Sequence, residues 1–206
     1  MQDFVYNLVS LLVIVDPLGT SVMFVALAAH IAPAHRRSTA WRGAAIASGL
    51  LLLFAFVGRA LLDLLGISLA AFQISGGLLL FLVATDMVLA LRSGIRGTTR
   101  PEEEEAAHSH NIAVFPLAIP LIAGPGALTS ITLLMRGAPT TAAQAWVLLA
   151  LAVTMTLTLV SLLAAAVVAR FLGVIGANVV TRILGIVLAA LAAQYVINGV
   201  RATLAG

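Results

Sequence analysis

Val15-Asp16-Pro17-Leu18-Gly19 and, 108 residues further on, Ala123-Gly124-Pro125-Gly126-Ala127 each interrupt a long apolar run. Proline has no N–H to donate, and its ring clashes with the preceding turn. Glycine loosens a helix further. In lipid the freed backbone groups must find partners, so such breaks persist only where they face protein or a polar cavity. Interruptions at corresponding places in two halves of a chain point to a transporter's binding site.

The rest of the chain provides the apolar frame for these breaks. It has 206 residues, of which 62% are hydrophobic and 9% charged, and the mean hydropathy is +1.13. That composition belongs to a polytopic membrane protein. The N-terminal apolar run lacks a basic leader and a small-residue cleavage site, so it is expected to remain as the first span. No cysteine is present, which excludes disulfides, thiol catalysis and cysteine metal sites. The isoelectric point near 10.6 reflects a net charge of only +3. The basic residues are scattered over loops, so no nucleic-acid partner is expected. All eleven are arginine, which we attribute to coding bias.

Six apolar runs approach the roughly 20 residues needed to cross a bilayer: about 4–30 (broken), 42–65, 68–91, 111–135 (broken), 141–169 and 178–201. The expected fold is an all-α membrane protein of six transmembrane helices, with helices 1 and 4 discontinuous. It forms a single transmembrane domain over 1–206: repeat 1 about 1–92, a linker about 93–110 and repeat 2 about 111–206. The linker holds Pro101 and the run Glu102-Glu103-Glu104-Glu105, read as a solvated loop.

Arginine placement sets the expected orientation. Arg36, Arg37, Arg42, Arg92, Arg96, Arg100, Arg170 and Arg182 fall on one side; Arg59, Arg136 and Arg201 fall on the other. Eight against three puts the first side, with the linker, in the cytoplasm and both termini outside. Three spans per half then invert one half relative to the other. At the 108-residue offset Pro17 meets Pro125, Ser21 meets Thr129, Gly77 meets Gly185 and Asp86 meets Gln194. Two inverted three-helix repeats are therefore expected.

Asp16 is the first functional candidate. A carboxylate at the centre of a span costs about 2.5–3.5 kcal/mol on insertion scales. Two compatible readings exist: an N-cap for a half-helix that starts at Pro17, or a contact for an ammonium group, a cation or a proton. The half-helix starting Pro17-Leu18-Gly19-Thr20-Ser21 has N–H groups and a partial positive charge suited to a carboxylate. Gly124, Pro125, Gly126, Thr129 and Ser130 repeat that arrangement in span 4. The bland alternative is a pair of proline kinks that improve packing. Pro116 and Pro120 are expected to bend span 4 further.

Asp86, beside Thr85, is the other intramembrane acid, read as either functional or paired with Arg92. With Gln194 and Asn198 it forms a candidate polar or coupling network around Asp16. Bonding between helices is the simpler reading for the two amides. Arg59 and Asp63 have i,i+4 spacing and are expected to pair at a membrane interface. His108-Ser109-His110 has no convincing partners, so no metal site and no cofactor are expected. No Walker motif, nucleophile elbow or zinc-protease motif occurs, and the chain is not read as an enzyme.

These residues together resemble a known family. Val15-Asp16-Pro17-Leu18-Gly19, Gly66-Ile67-Ser68-Leu69, Ile74-Ser75-Gly76-Gly77 and the proline-rich run from Phe115 to Ala127 look like the MarC/SnatA family. Thr181-Arg182-Ile183-Leu184-Gly185 and Gln194 with Asn198-Gly199 fit as well, so the likeness covers essentially the whole chain. The resemblance implies a bacterial or archaeal inner-membrane protein related to LysE-type exporters, whose characterised members move small neutral amino acids such as glycine and alanine. Family members often carry Asn and Glu where this chain has Thr20 and Asp86.

The expected function is secondary transport of small neutral amino acids by alternating access, by export or with proton or cation coupling. The expected partners are the amino acid, membrane lipid and a second copy of the chain. The alternative is a membrane scaffold or regulatory subunit without transport of its own.

Overall fold

The computed structural model describes residues 2–28, 31–89 and 112–204. Arg92, the linker with its glutamate run, and the histidines at 30, 108 and 110 lie outside the described residues. Among the described residues all regular structure is helical.

The first break falls where proline chemistry puts it. Helix α1 (Gln2–Val15) ends at Asp16, and α2 (Pro17–Leu27) begins with proline at its first position, where no N–H is needed. Helix α3 (Pro33–Leu64) begins nine residues before the expected start at 42. Pro33 opens it, and nothing between 34 and 41 breaks a helix. Its 32 residues exceed the ~20 that cross a bilayer, so its exposed first turns, with His35, Arg36 and Arg37, have length to spare beyond the apolar layer. Helix α4 is Leu69–Leu89.

Span 4 departs most from expectation. Its first part, α5 (Ala113–Ile122), is not a regular helix: Phe115 and Ile119 have extended dihedrals, at φ −130 and −128. Each precedes a proline, whose ring disfavours the helical region for the residue before it. The expected bend at Pro116 and Pro120 is therefore a wide, irregular coil. Helix α6 (Pro125–Arg136) follows at 57° to it.

Helix α7 (Thr141–Leu163) is capped by the Thr140 hydroxyl, which accepts from the Ala143 N–H at 3.1 Å. Helical backbone resumes at once in α8 (Ala165–Leu204), broken at Gly173, where φ is 59. The expected loop over 170–177 is thus reduced to one glycine in a conformation that only glycine adopts freely. Four tracts besides α3 are long and apolar enough to cross a membrane: Asp3–Leu27, Leu69–Leu89, Thr141–Leu163 and Asn178–Leu204. The bent pair α5–α6 makes up to six spans.

Packing pairs the halves. α1 lies on α7, and α5 on α3. α2 packs against α7 and α8, and α6 against α3 and α4. α4 and α8 run antiparallel in the most extensive contact. A Cβ on Gly77 would meet Val196 Cγ2 and the Ala192 carbonyl, at 2.7 and 2.8 Å. One on Gly185 would meet Met87 Cβ at 2.8 Å, Val88 Cγ2 at 3.0 Å and the Ala84 carbonyl at 3.2 Å. Both glycines allow the backbone approach that drives helix association in lipid. Leu11, Leu51, Leu80, Leu117, Ile131, Leu151 and Leu188 fill the centre, while Phe56, Val160 and Ile186 face outward. The expected Arg59–Asp63 pair forms at 3.7 Å, and Arg136 joins it at 3.2 Å, tying α3 to α6 at one end.

Candidate functional site

Asp16 is 1% exposed and sits in the left-handed region, at φ 50 and ψ 70, which Asp tolerates better than most residues. Its Oδ1 accepts from the Gly19 N–H at 3.0 Å. Gly19 has no room for a side chain, because a Cβ there would collide with the Asp16 carboxylate. With the Gly19 N–H turned toward Asp16, the Thr20 hydroxyl donates to the Val15 carbonyl at 3.0 Å. The Ser21 hydroxyl donates to the Leu18 carbonyl at 2.7 Å. The capping reading of Asp16 is therefore the observed one, and the hydroxyls of Thr20 and Ser21 serve the backbone around the break.

The second break is built differently. Gly124 is extended, and no side chain among the described residues caps α6. The Leu128 N–H donates to the Gly124 carbonyl at 3.0 Å, and the Thr129 hydroxyl donates to the Pro125 carbonyl at 2.9 Å. On the other side the Ala123 N–H reaches back to Ala118 at 2.9 Å. The breaks are neighbours: a Cβ on Gly126 would lie 4.0 Å from Ile14 Cγ2, near the end of α1. The bundle thus brings together one half-helix start filled by the chain's own carboxylate and one with no side-chain cap.

Asp16, Thr20, Ser21, Thr129 and Ser130 are each 5% exposed or less. Ser130 Oγ has no hydrogen-bond partner among the described residues, and neither do Thr154 Oγ1 and Tyr195 OH. Tyr195, on α8, lies beside Ser130 and Tyr6 without completing a well-formed bond. Thr154 and Tyr195 escaped the sequence reading. A tyrosine within the aliphatic run of α8 and the Thr154–Thr158 pair in α7 were the available signals.

The wider polar set is spread over α4 and α8. Gln194 and Asn198 are exposed on α8 and bond to each other at 2.7 Å. Amides one turn apart satisfy each other locally and do not have to reach the break. Asp86 is half-buried on α4, and its expected partner Arg92 is outside the described residues. Among the described residues no group of His, Asp or Glu is placed to hold a metal ion. A separate groove of about 310 Å³ opens between α3 and α7, lined by residues such as Trp41, Ala44, Ser48, Leu151 and Met155. None of the break residues lines it, and its apolar wall suits an acyl chain better than a polar solute.

The chain as a whole has relatives among known proteins. The family description "MarC family integral membrane protein" matches residues 1–204. The chain belongs to the MarC family. It is 35% identical over 204 residues to a UPF0056 membrane protein of Methanocaldococcus jannaschii, covering 99% of this chain and 98% of that one. It is 33% identical over 206 residues to the UPF0056 inner membrane protein YhgN of Escherichia coli, covering both completely. A UPF0056 membrane protein of Archaeoglobus fulgidus is 34% identical over 205 residues. These MarC-family descriptions name membrane proteins and give no reaction or substrate. No solved structure matches the chain.

Proposed function

We propose that this MarC-family protein is a secondary transporter of small neutral amino acids, set in the cytoplasmic (inner) membrane with both termini outside. The observation that carries the reading is the unequal chemistry of the two adjacent breaks. A ligand carboxylate at the start of α2 would meet the Asp16 carboxylate, which already takes the Gly19 N–H. At the start of α6 no side-chain cap among the described residues competes, and the N–H groups and helix dipole favour an anion. A zwitterion fits both: carboxylate toward Gly126 and Ala127, ammonium toward Asp16. This narrows the carboxylate site from either half-helix to α6 alone.

Six spans in two inverted repeats complete the reading. Shifting residues by 108 turns the contact of Gly77 with Ala192 and Val196 into that of Gly185 with Ala84 and Val88, and both contacts occur. The same shift exchanges α1 on α7 with α5 on α3. Such exchange supports a two-fold relation, and alternating access would then be rocking of one repeat against the other. The test is glycine or alanine flux in proteoliposomes. If the purified protein moves neither while a control transporter works in the same vesicles, the assignment fails. A non-transporting scaffold predicts that null result, with no thermal shift by any amino acid.

A further inference from the structure

The buried polar side chains are distributed unequally between the two halves of the bundle. Asn7 and Ser10 on α1, Ser130 on α6, Thr154 and Thr158 on α7, and Tyr195 on α8 are each 7% exposed or less. α1 packs against α6, α7 and α8, the helices that carry the others, and the four helices meet in one seam. The seam has a common depth. Ile14 lies next to Gly126 in antiparallel helices, which puts Ser130 level with Ser10. Phe4 meets Trp146 in a tilted contact, ring centroids 5.7 Å apart, in helices that run in parallel, which places Thr154 about 3 Å deeper than Ser10 at 1.5 Å per residue. Tyr195 completes the level, beside Ser130 and Tyr6.

The 108-residue shift carries this seam onto α5, α2, α3 and α4. There the same six positions are Phe115, Ala118, Val22, Ile46, Leu50 and Met87, all apolar. Packing alone would have accepted apolar residues in both places. Buried hydroxyls nearly always have partners, yet Ser130, Thr154 and Tyr195 lack them among the described residues. Three such groups at one depth fit a wall that meets water or solute in another conformation.

We propose that the α1–α6–α7–α8 seam is the aqueous access route between the helix breaks and the N-terminal face. Ser130, Thr154 and Tyr195 form its polar subsite for a net-neutral solute, and the mirrored seam is a dry gate. Hydroxyls donate and accept, so they serve the ammonium and the carboxylate of a zwitterion equally. Movement of α1, in the first repeat, away from α6, α7 and α8, in the second, opens the route. The mirrored comparison rests on the two-fold relation, and the identity of the solute on the transport reading, both proposed above.

The absence of native cysteine makes the test direct. Single Ser130→Cys and Thr154→Cys variants in membranes are treated with a membrane-impermeant thiol reagent at the N-terminal face. Thiols react as thiolates and need water, so both should label at least about tenfold faster than Val22→Cys and Ile46→Cys. Glycine or alanine should slow the labelling. Rates equal to those of the mirrored positions would overturn the proposal. Fast labelling that no amino acid slows would keep the aqueous route and overturn the choice of solute. Should a variant fail to fold, amide exchange on the unaltered chain replaces it. α6 is expected to exchange faster than α2, and equal protection would refute the route.

Discussion

Replacing Asp16 with alanine or with asparagine separates the two roles of its carboxylate. The alanine change removes the hydrogen bond to the Gly19 N–H, 3.0 Å long and buried. Loss of an N-cap costs about 0.5–2 kcal/mol. It also puts alanine at φ 50, which adds roughly 1 kcal/mol, because a Cβ crowds the carbonyl there. Against this stands relief from burying a carboxylate, so the expected net loss is about 2 kcal/mol. For a chain of this size that is roughly 4–8 °C in Tm. Asparagine keeps an accepting oxygen and tolerates the left-handed region, so Asp16→Asn should unfold within about 2 °C of the parent. It removes the charge expected to meet the ammonium group, and flux should fall at least about tenfold. The assays are thermal unfolding in detergent and glycine or alanine flux in proteoliposomes. An Asp16→Ala variant as stable as the parent would refute the structural cap. Undiminished flux in Asp16→Asn would remove the charge from the mechanism.

Gly77→Ala and Gly185→Ala should each destabilise the α4–α8 contact by about 1–3 kcal/mol through overpacking, since a Cβ would sit 2.7–2.8 Å from its nearest neighbour at either position. If one variant is neutral and the other unfolds, the two-fold equivalence of the contacts fails. Asp63→Asn should change stability by less than about 1 kcal/mol and leave flux intact, because the Asp63 side chain is 55% exposed beside Arg136; a large loss in chemical unfolding would contradict this. Tyr195→Phe removes a buried hydroxyl that has no hydrogen-bond partner among the described residues, so its Tm should hold or rise while flux falls. Lowered Tm with normal flux would give the hydroxyl a purely structural role.

Part of the site was legible because proline acts locally. Asp16 before Pro17 already reads as an N-cap, and the structure has that cap. The same local rule places the start of α6 at Pro125. The irregular α5 was readable in principle: residues before proline avoid the helical region, and Phe115 and Ile119 do so. The reading stopped at a bend because a hydropathic run of that length looks helical. The Gln194–Asn198 bond is also local: the two amides are one turn apart on α8 and bond to each other at 2.7 Å, where a bond between helices was expected.

Composition and spacing by themselves determined that this chain lives in a membrane, where its helices run and where two of them break. Hydropathy, missing N–H groups and left-handed backbone are properties of a few consecutive residues. The tertiary structure alone decided that the two breaks lie side by side, with Gly126 against Ile14. It alone placed Ser130 beside Tyr195 and levelled both with Thr154 from a third helix. Those relations depend on how far each helix is rotated and slid against its neighbours, which is set by packing across the whole bundle. No short stretch of sequence carries that information.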